Sequence, residues 1–365
     1  MSIISNLLTV LSIFASVQLL SAEDWLQFRG TDHRGIANSS KLPTSISTEK
    51  NIAWKKSLPG RGLSSPIIIG NRIFLTAAST TDQSRLHVLC FNSDNGTTLW
   101  SREFWATGRT ICHEKTCVAA PTPASDGKHI YALYSSNDLI CLDINGNLKW
   151  MRALMQDYPN ASNSLGLASS PIIVSNTLIV QVENDSESFA AGIDLKNGSN
   201  IWRFPRTKKA NWTSPIKVGK NLVSIQGSEG VTAIEASTGK ILWSYGEGAS
   251  TIPSSVASED GSTLFIPSNG ITALKPRNDN NTPEILWQEP QLRPGTASPI
   301  IVDDKIFVIN RAGVLSAAKK DTGERLWRLR LEGPFSGSPV ACKGHIYIAS
   351  ERKGLLQSVD LSGKE

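Results

Sequence analysis

Two sets of side chains in this sequence are of types that could do chemistry. The first is Cys112-His113-Glu114-Lys115-Thr116-Cys117, which places two thiols and an imidazole within one short stretch. Thiolates and a neutral imidazole are ligands for a soft divalent metal, but no fourth donor is evident nearby. The order also differs from Cys-x-x-Cys-His, the arrangement that attaches haem. The spacing lets Cys112 and Cys117 join as a local disulfide in an oxidising compartment. Disulfide or structural thiols is therefore the reading, and a metal held by Cys112, His113 and Cys117 is the alternative. The second set is dispersed: Arg61, Arg109, Arg293 and Arg311, with Trp212. Guanidinium groups clamp anions and an indole stacks on flat groups, so together they would suit an anionic or planar ligand. The same arginines could equally serve as hydrogen-bond clamps between segments. They can meet only if the fold is a ring. No nucleophile–base pair and no carboxylate pair at glycosidase spacing is recognisable, so no catalytic residue is assigned.

The elements that would position them are short. Apolar residues make up 40% of the 365 and charged residues 19%, which supports a large core and speaks against disorder. The 28 glycines and 18 prolines are spread along the chain, as many short strands joined by turns require. A formal charge of +5 with scattered basic residues carries no nucleic-acid signature, and the run Arg206-Thr207-Lys208-Lys209 reads as a solvated loop. Residues 1–22 have no charged side chain, and the mostly apolar run from Leu7 to Leu20 ends at Leu20-Ser21-Ala22. A cleaved export signal is expected, with an uncleaved membrane anchor as the alternative. Export places the mature chain in a periplasm or outside the cell. Residues 23–49 are then an N-terminal extension and 50–365 the folded ring. The five cysteines are too few and too dispersed for a disulfide scaffold.

A repeat organises the chain. Trp54, Trp100, Trp150, Trp202, Trp243, Trp287 and Trp327 recur every 40 to 52 residues, the length of a four-stranded propeller blade with its loops. Gly96, Gly146, Gly198, Gly239 and Gly323 each stand four positions before one of these tryptophans and mark a tight turn. A second marker opens an apolar strand in each unit: Ser65-Pro66, Thr122-Pro123, Ser170-Pro171, Ser214-Pro215, Ser298-Pro299 and Ser338-Pro339, with Ser254-Ser255 as the degenerate copy. The unit reads as strand A (Ser-Pro), strand B, strand C, Gly turn and strand D (Trp). A β-sandwich with coincidental Trp spacing would not keep both markers in phase.

The expected fold is all-β, a seven-bladed β-propeller of four-stranded antiparallel blades. Trp54 has no strands A to C ahead of it, and Gly363 has no Trp after it. The Trp54 strand is therefore expected to close the ring by pairing with the region Val359 to Leu361. The stop in mid-motif also allows an eight-bladed relative with this chain one blade short. In such a ring the D–A and B–C loops share one face, the default place for a site. Arg61, Arg109, Trp212, Arg293 and Arg311 all fall in those loops, as do Glu183, Asn184 and Asp185.

The Gly-x-x-x-Trp repeat with its Ser-Pro strand is similar to the pyrroloquinoline-quinone (PQQ) repeats. Asp24-Trp25-Leu26-Gln27-Phe28-Arg29-Gly30, followed by Gly35 and Ile36, resembles the opening of quinoprotein-type propellers. The resemblance spans nearly the whole mature chain. One branch of that superfamily, the quinoprotein dehydrogenases, binds PQQ and Ca²⁺ and uses an Asp base beside a vicinal Cys-Cys ring. This chain has no adjacent cysteines, so no catalytic residue carries over. Another branch is the propeller subunit of the outer-membrane protein assembly machine, a cofactor-free lipoprotein scaffold; this chain lacks its lipidation Cys. The resemblance implies an exported binding or scaffold propeller without cofactor, taking a protein or small anionic ligand on one face. The alternative is a PQQ-dependent oxidoreductase.

Overall fold

The computed structural model describes residues 23–363 except 39–41, 48, 163, 278–281 and 352–353. The expected leader over 1–22 lies outside the described residues. The strands form seven four-stranded sheets. Blade 1 shows the pattern, with A at Ile67–Ile69, B at Arg72–Ser79, C at Arg85–Asn92 and D at Thr98–Trp105, all antiparallel. Strands B and C lie between neighbouring blades and are covered on both sides. They therefore read as continuous apolar runs, as in Thr177–Val182, which is buried throughout. Strand D forms the rim and alternates between half-buried and exposed, as in Thr98–Trp105.

The two sequence markers turn out to be devices that join blades. The backbone N–H of each rung residue donates to the hydroxyl of the next blade's Ser or Thr. Ser65 donates to Thr122 at 2.9 Å, Thr122 to Ser170 at 3.0 Å, and Ser170 to Ser214 at 2.9 Å. Ser214 donates to Ser254 at 3.0 Å, Ser254 to Ser298 at 2.9 Å, and Ser298 to Ser338 at 3.3 Å. The ladder requires a hydroxyl, which is why blade 5 keeps Ser254 although it has lost the proline. At the rim, every repeat Trp except Trp243 lies flat on the Gly turn of the following blade. A Cβ on Gly146 would sit 2.8 Å from Trp100, one on Gly239 2.6 Å from Trp202, and one on Gly363 2.8 Å from Trp327. The turn glycine is thus needed for the neighbour's indole as well as for its own positive φ.

Each indole N–H also finds a carbonyl, Trp100 on Ile144 at 3.0 Å and Trp202 on Ala236 at 2.8 Å. Blade 5 lacks the Gly turn, and there the indole N–H of Trp243 is buried without a partner among the described residues. A buried unmade bond costs about 1–3 kcal/mol, whereas losing a made one costs about 1 kcal/mol. Trp202→Phe is therefore expected to destabilise by about 1–2 kcal/mol more than Trp243→Phe, measured by urea unfolding.

The ring is joined at its ends in a way the sequence reading did not anticipate. Residues 50–58 form no strand, and Val359 pairs with Ile346 inside its own blade. Trp54 keeps only the indole half of its expected role: it lies on Gly96, whose Cβ would be 2.5 Å away, and donates to the Ser93 carbonyl at 2.8 Å. The N-terminal strand that enters the last sheet is Ile36–Ala37, on the inner edge and parallel to Val340–Cys342. Residues 23–49 are thus no mere extension. An inner edge leaves N–H and C=O groups facing the channel, and the segment from Trp25 to Ile36 covers them. Trp25 exchanges backbone bonds with Ile68 of blade 1 at 2.9 Å each. The Leu26 carbonyl accepts from Ser125 of blade 2 at 2.8 Å, and the Gln27 side chain accepts from Ile173 of blade 3 at 2.9 Å. The Arg29 guanidinium donates to the carbonyls of Ser255 in blade 5 at 3.2 Å and Pro299 in blade 6 at 2.6 Å. The Gly35 carbonyl accepts from Ala341 of blade 7 at 2.8 Å. One short segment therefore bonds to six blades and links the first to the last.

Candidate functional site

Strand direction puts the D–A and B–C loops on one face and the A–B and C–D turns on the other. On the first face a buried polar network joins blades 3, 4 and 5. Its centre is Gln226, the penultimate residue of strand B, Leu222–Gly227. The Gln226 carbonyl accepts from Gln181 at 2.6 Å, Asn211 at 2.9 Å and Thr213 at 3.0 Å. Its side-chain amide donates to the carbonyls of Ser250 and Pro253 at 2.6 and 2.9 Å, and its oxygen accepts from Ser255 at 2.5 Å. Beside it Arg206 Nε donates to Glu183 Oε1 at 2.6 Å, and another nitrogen donates to Thr232 at 2.9 Å. Gly227 leaves room for the pair, since a Cβ there would meet Arg206 at 2.9 Å and Glu183 at 3.1 Å. Burial raises the pKa of Glu183, opposed by the charge of Arg206 and by hydrogen bonds from Arg206, Gln181 and Asn211. The pair borders a cavity of about 150 Å³ with Ser228, Glu229, Ser244 and Tyr245.

Arg206 corrects one expectation. It does not belong to a solvated run, because only Lys208 and Lys209 of Arg206-Thr207-Lys208-Lys209 are exposed. The lone acidic residue at the end of strand B in blade 3 was the only sequence signal for its partner.

The loops of blades 1 to 5 on this face are knitted together. Leu63 N–H donates to Ala119 at 3.2 Å, His113 N–H to Leu165 at 3.0 Å, and Trp212 N–H to Thr251 at 2.8 Å. Each of these loops exposes an apolar side chain: Leu63 at 52%, Ile111 at 55%, Leu165 at 38% and Ile252 at 38%, with Trp212 half-buried. The predicted cations lie around this arc without converging. Arg61 donates to the Glu114 carbonyl and pairs its backbone with Ala78, which makes it a clamp between loops. Arg109 is exposed beside Gly108, which packs on the Ser136 carbonyl. Arg293 and Arg311 are exposed and near one another in blade 6, where Gly295 packs on the Arg311 backbone. Among the described residues no hydrogen bond or ion pair joins Arg109 or Trp212 to that pair.

Cys112 and Cys117 are free thiols in the structure, as are Cys90, Cys141 and Cys342. Cys117 is buried, which pushes its thiol up to about 11. The His113 ring instead accepts from Lys115 N–H at 3.1 Å, and among the described residues no three His, Cys, Asp or Glu side chains are placed to hold a metal. Cys112, His113 and Cys117 therefore form no ligand set. Iodoacetamide on the native protein is expected to label Cys112 and spare Cys117. A Cys112–Cys117 cross-linked peptide in a non-reducing digest would instead show that oxidation joins them.

With this geometry in hand, comparison with known proteins is informative. A family model described as outer membrane protein assembly factor BamB matches residues 44–245, 186–275 and 267–365. Outer membrane protein assembly factor BamB of Legionella pneumophila (strain Paris) is 25% identical over 217 residues, covering 56% of this chain and 54% of that protein. The chain thus spans about half the length of that curated relative. The crystal structure of BamB from Moraxella catarrhalis aligns with a TM-score of 0.57 at 15% identity, over 82% of this chain and 83% of that one. A europium-containing methanol dehydrogenase aligns with a TM-score of 0.62 at 10% identity, over 94% and 86%. At such identities the solved structures speak to the shared propeller fold, which scaffolds and dehydrogenases both use. Among the described residues no helix is long and apolar enough to cross a membrane.

Proposed function

We propose that this chain, which belongs to the family of the outer membrane protein assembly factor BamB, is an exported, non-catalytic docking propeller. It takes a protein segment across the D–A loops of blades 1 to 5. The observation that carries this reading is the arc of Leu63, Ile111, Leu165 and Ile252, exposed in adjoining loops that hold one another by backbone bonds. Rigid loops with apolar tips suit protein docking, because little ordering entropy remains to be lost. The exposed charges along the D–A loops are basic in majority, Arg61, Arg109, Lys115, Lys208 and Lys209 against Glu114, Asp157 and Glu247. The expected occupant is therefore an extended segment with apolar side chains flanked by carboxylates.

A PQQ-dependent oxidoreductase would need cations converging on the cofactor's carboxylates and a metal ligand set beside it. Arg293 and Arg311 lie near one another in blade 6, whereas Arg109 stands in a loop of another blade. Among the described residues no three His, Cys, Asp or Glu side chains are placed to hold such a metal, so the docking reading carries more support.

Peptide selection against the native protein tests the docking reading. Selected peptides should carry Leu or Phe beside Asp or Glu. Their affinity should fall about tenfold or more in Leu63→Asp and Ile111→Asp while staying level in the rim variants Leu99→Asp and Leu326→Asp. Binding that ignores the arc and responds to the rim would refute it.

A further inference from the structure

In blades 1, 2, 3 and 7 the N-terminal segment bonds strand A at one register, the third residue after the rung hydroxyl. Ile68, Ser125, Ile173, Ala257, Ile301 and Ala341 hold that position; blade 4 alone has a charged residue there, Lys217. Lys217 lies in strand A, Ile216–Val218, between two buried neighbours, so its side chain is turned toward the channel. Among the described residues the segment makes no backbone bond to strand A of blade 4 or 5, and Arg29 alone reaches blade 5, at the Ser255 carbonyl. The segment leaves there a cavity of about 230 Å³ lined by Asp32, His33, Arg34, Lys217, Ser258 and Glu259. This cavity opens on the A–B face, opposite the docking arc.

The charges around it are out of balance. Arg29 is buried behind the segment, bonds only neutral carbonyls, and has an Nε with no partner. His33 is buried, and both Lys217 and Arg29 bear on it electrostatically; with burial as the main cause they hold its pKa down to about 3. Among the described residues Lys217 has no ion-pair or hydrogen-bond partner. Of the two carboxylates at the cavity, Glu259 is held by Arg34 at 3.0 Å with its side chain 81% exposed, and Asp32 is exposed. Ser258 already donates to Asp260. A basic residue set into an otherwise uncharged register, facing a cavity and backed by a guanidinium that bonds only neutral carbonyls, calls for an anion.

We infer that the cavity between Lys217 and His33 is a binding site for a phosphate-sized oxyanion, with Lys217 as its charged anchor. Isothermal titration of the full mature chain with inorganic phosphate is expected to show one site, weakened at least about tenfold in Lys217→Met. Imidazole NMR checks the same site without a substitution: phosphate should shift the His33 ring and leave His129 and His345 unmoved. Glycerol 3-phosphate identifies the source. If it binds in parallel and is lost equally in Lys217→Met, the site takes phosphate monoesters; if only phosphate binds, it takes the free ion. Absence of binding, binding unchanged in Lys217→Met, or shifts that miss His33 would overturn the assignment.

Discussion

Removing residues 24–37 is expected to abolish the folded monomer. The deletion strips partners from the backbone N–H groups of Ile68, Ser125, Ile173 and Ala341, and takes away the two carbonyl bonds made by Arg29. Each buried N–H left unpaired costs about 1–3 kcal/mol, so four of them approach the roughly 5–15 kcal/mol that hold a typical domain together. The deletion also frees inner strand edges, which invite pairing with other chains. Size-exclusion chromatography with thermal unfolding checks this: the variant should elute as aggregate or lack a cooperative transition. A monomer with an unchanged midpoint would show that the segment is only draped over the ring. Deleting residues 50–58 should be milder, since Trp54 contributes one indole on Gly96 and no strand.

The second large effect is expected at the buried ion pair. Arg206→Ala leaves Glu183 without its cation in a site that water barely reaches, a change that costs about 3–5 kcal/mol. The loss should depend on pH in a definite direction. The folded pKa of Glu183 is raised above its ordinary 4.5, so ionisation opposes folding. That penalty is absent below the unfolded value, grows as pH rises toward the folded one, and is complete above it. Without Arg206 the folded value climbs further and the window widens upward. Urea unfolding of Arg206→Ala should therefore show a larger deficit near neutral pH than near the ordinary carboxylate pKa. Glu183→Gln combined with Arg206→Ala should recover much of the loss. A deficit that is flat with pH would mean that lost packing, not the stranded carboxylate, destabilises the variant.

Much of the architecture was legible because repetition supplies its own control. Ser65-Pro66 alone says little, but recurrence in phase with Trp marked strand A and strand D in blade after blade. What could not be read was which partner each marker meets. The rung hydroxyl bonds a residue some 40 to 57 positions away, and Gly146 is needed for Trp100 as well as for the turn that contains it. The same blindness misplaced the closing strand. Trp54 carries the rim marker, yet Ile36–Ala37 enters the last blade from inside, where the repeat leaves no signature. At the site, the loops were found by topology and their exposed arginines by type. Glu183 was placed in a site loop by topology, but its pairing with Arg206 lay hidden because a buried pair assembled from two loops has no spacing rule. The arc of Leu63, Ile111, Leu165 and Ile252 was invisible for a related reason: whether a loop aliphatic is buried depends on neighbouring loops that sequence alone does not position.

The central claim is that the D–A loops of blades 1 to 5 are the working face while the N-terminal segment fills the channel side opposite. Hydrogen–deuterium exchange of the full chain, free and bound to a peptide selected on it, measures both at once. The expected result is new protection confined to residues 106–123, 158–171 and 246–255, with residues 24–37 already protected in the free protein and unchanged on binding. New protection at the C–D turns, or an N-terminal segment that exchanges freely until peptide is added, would contradict it.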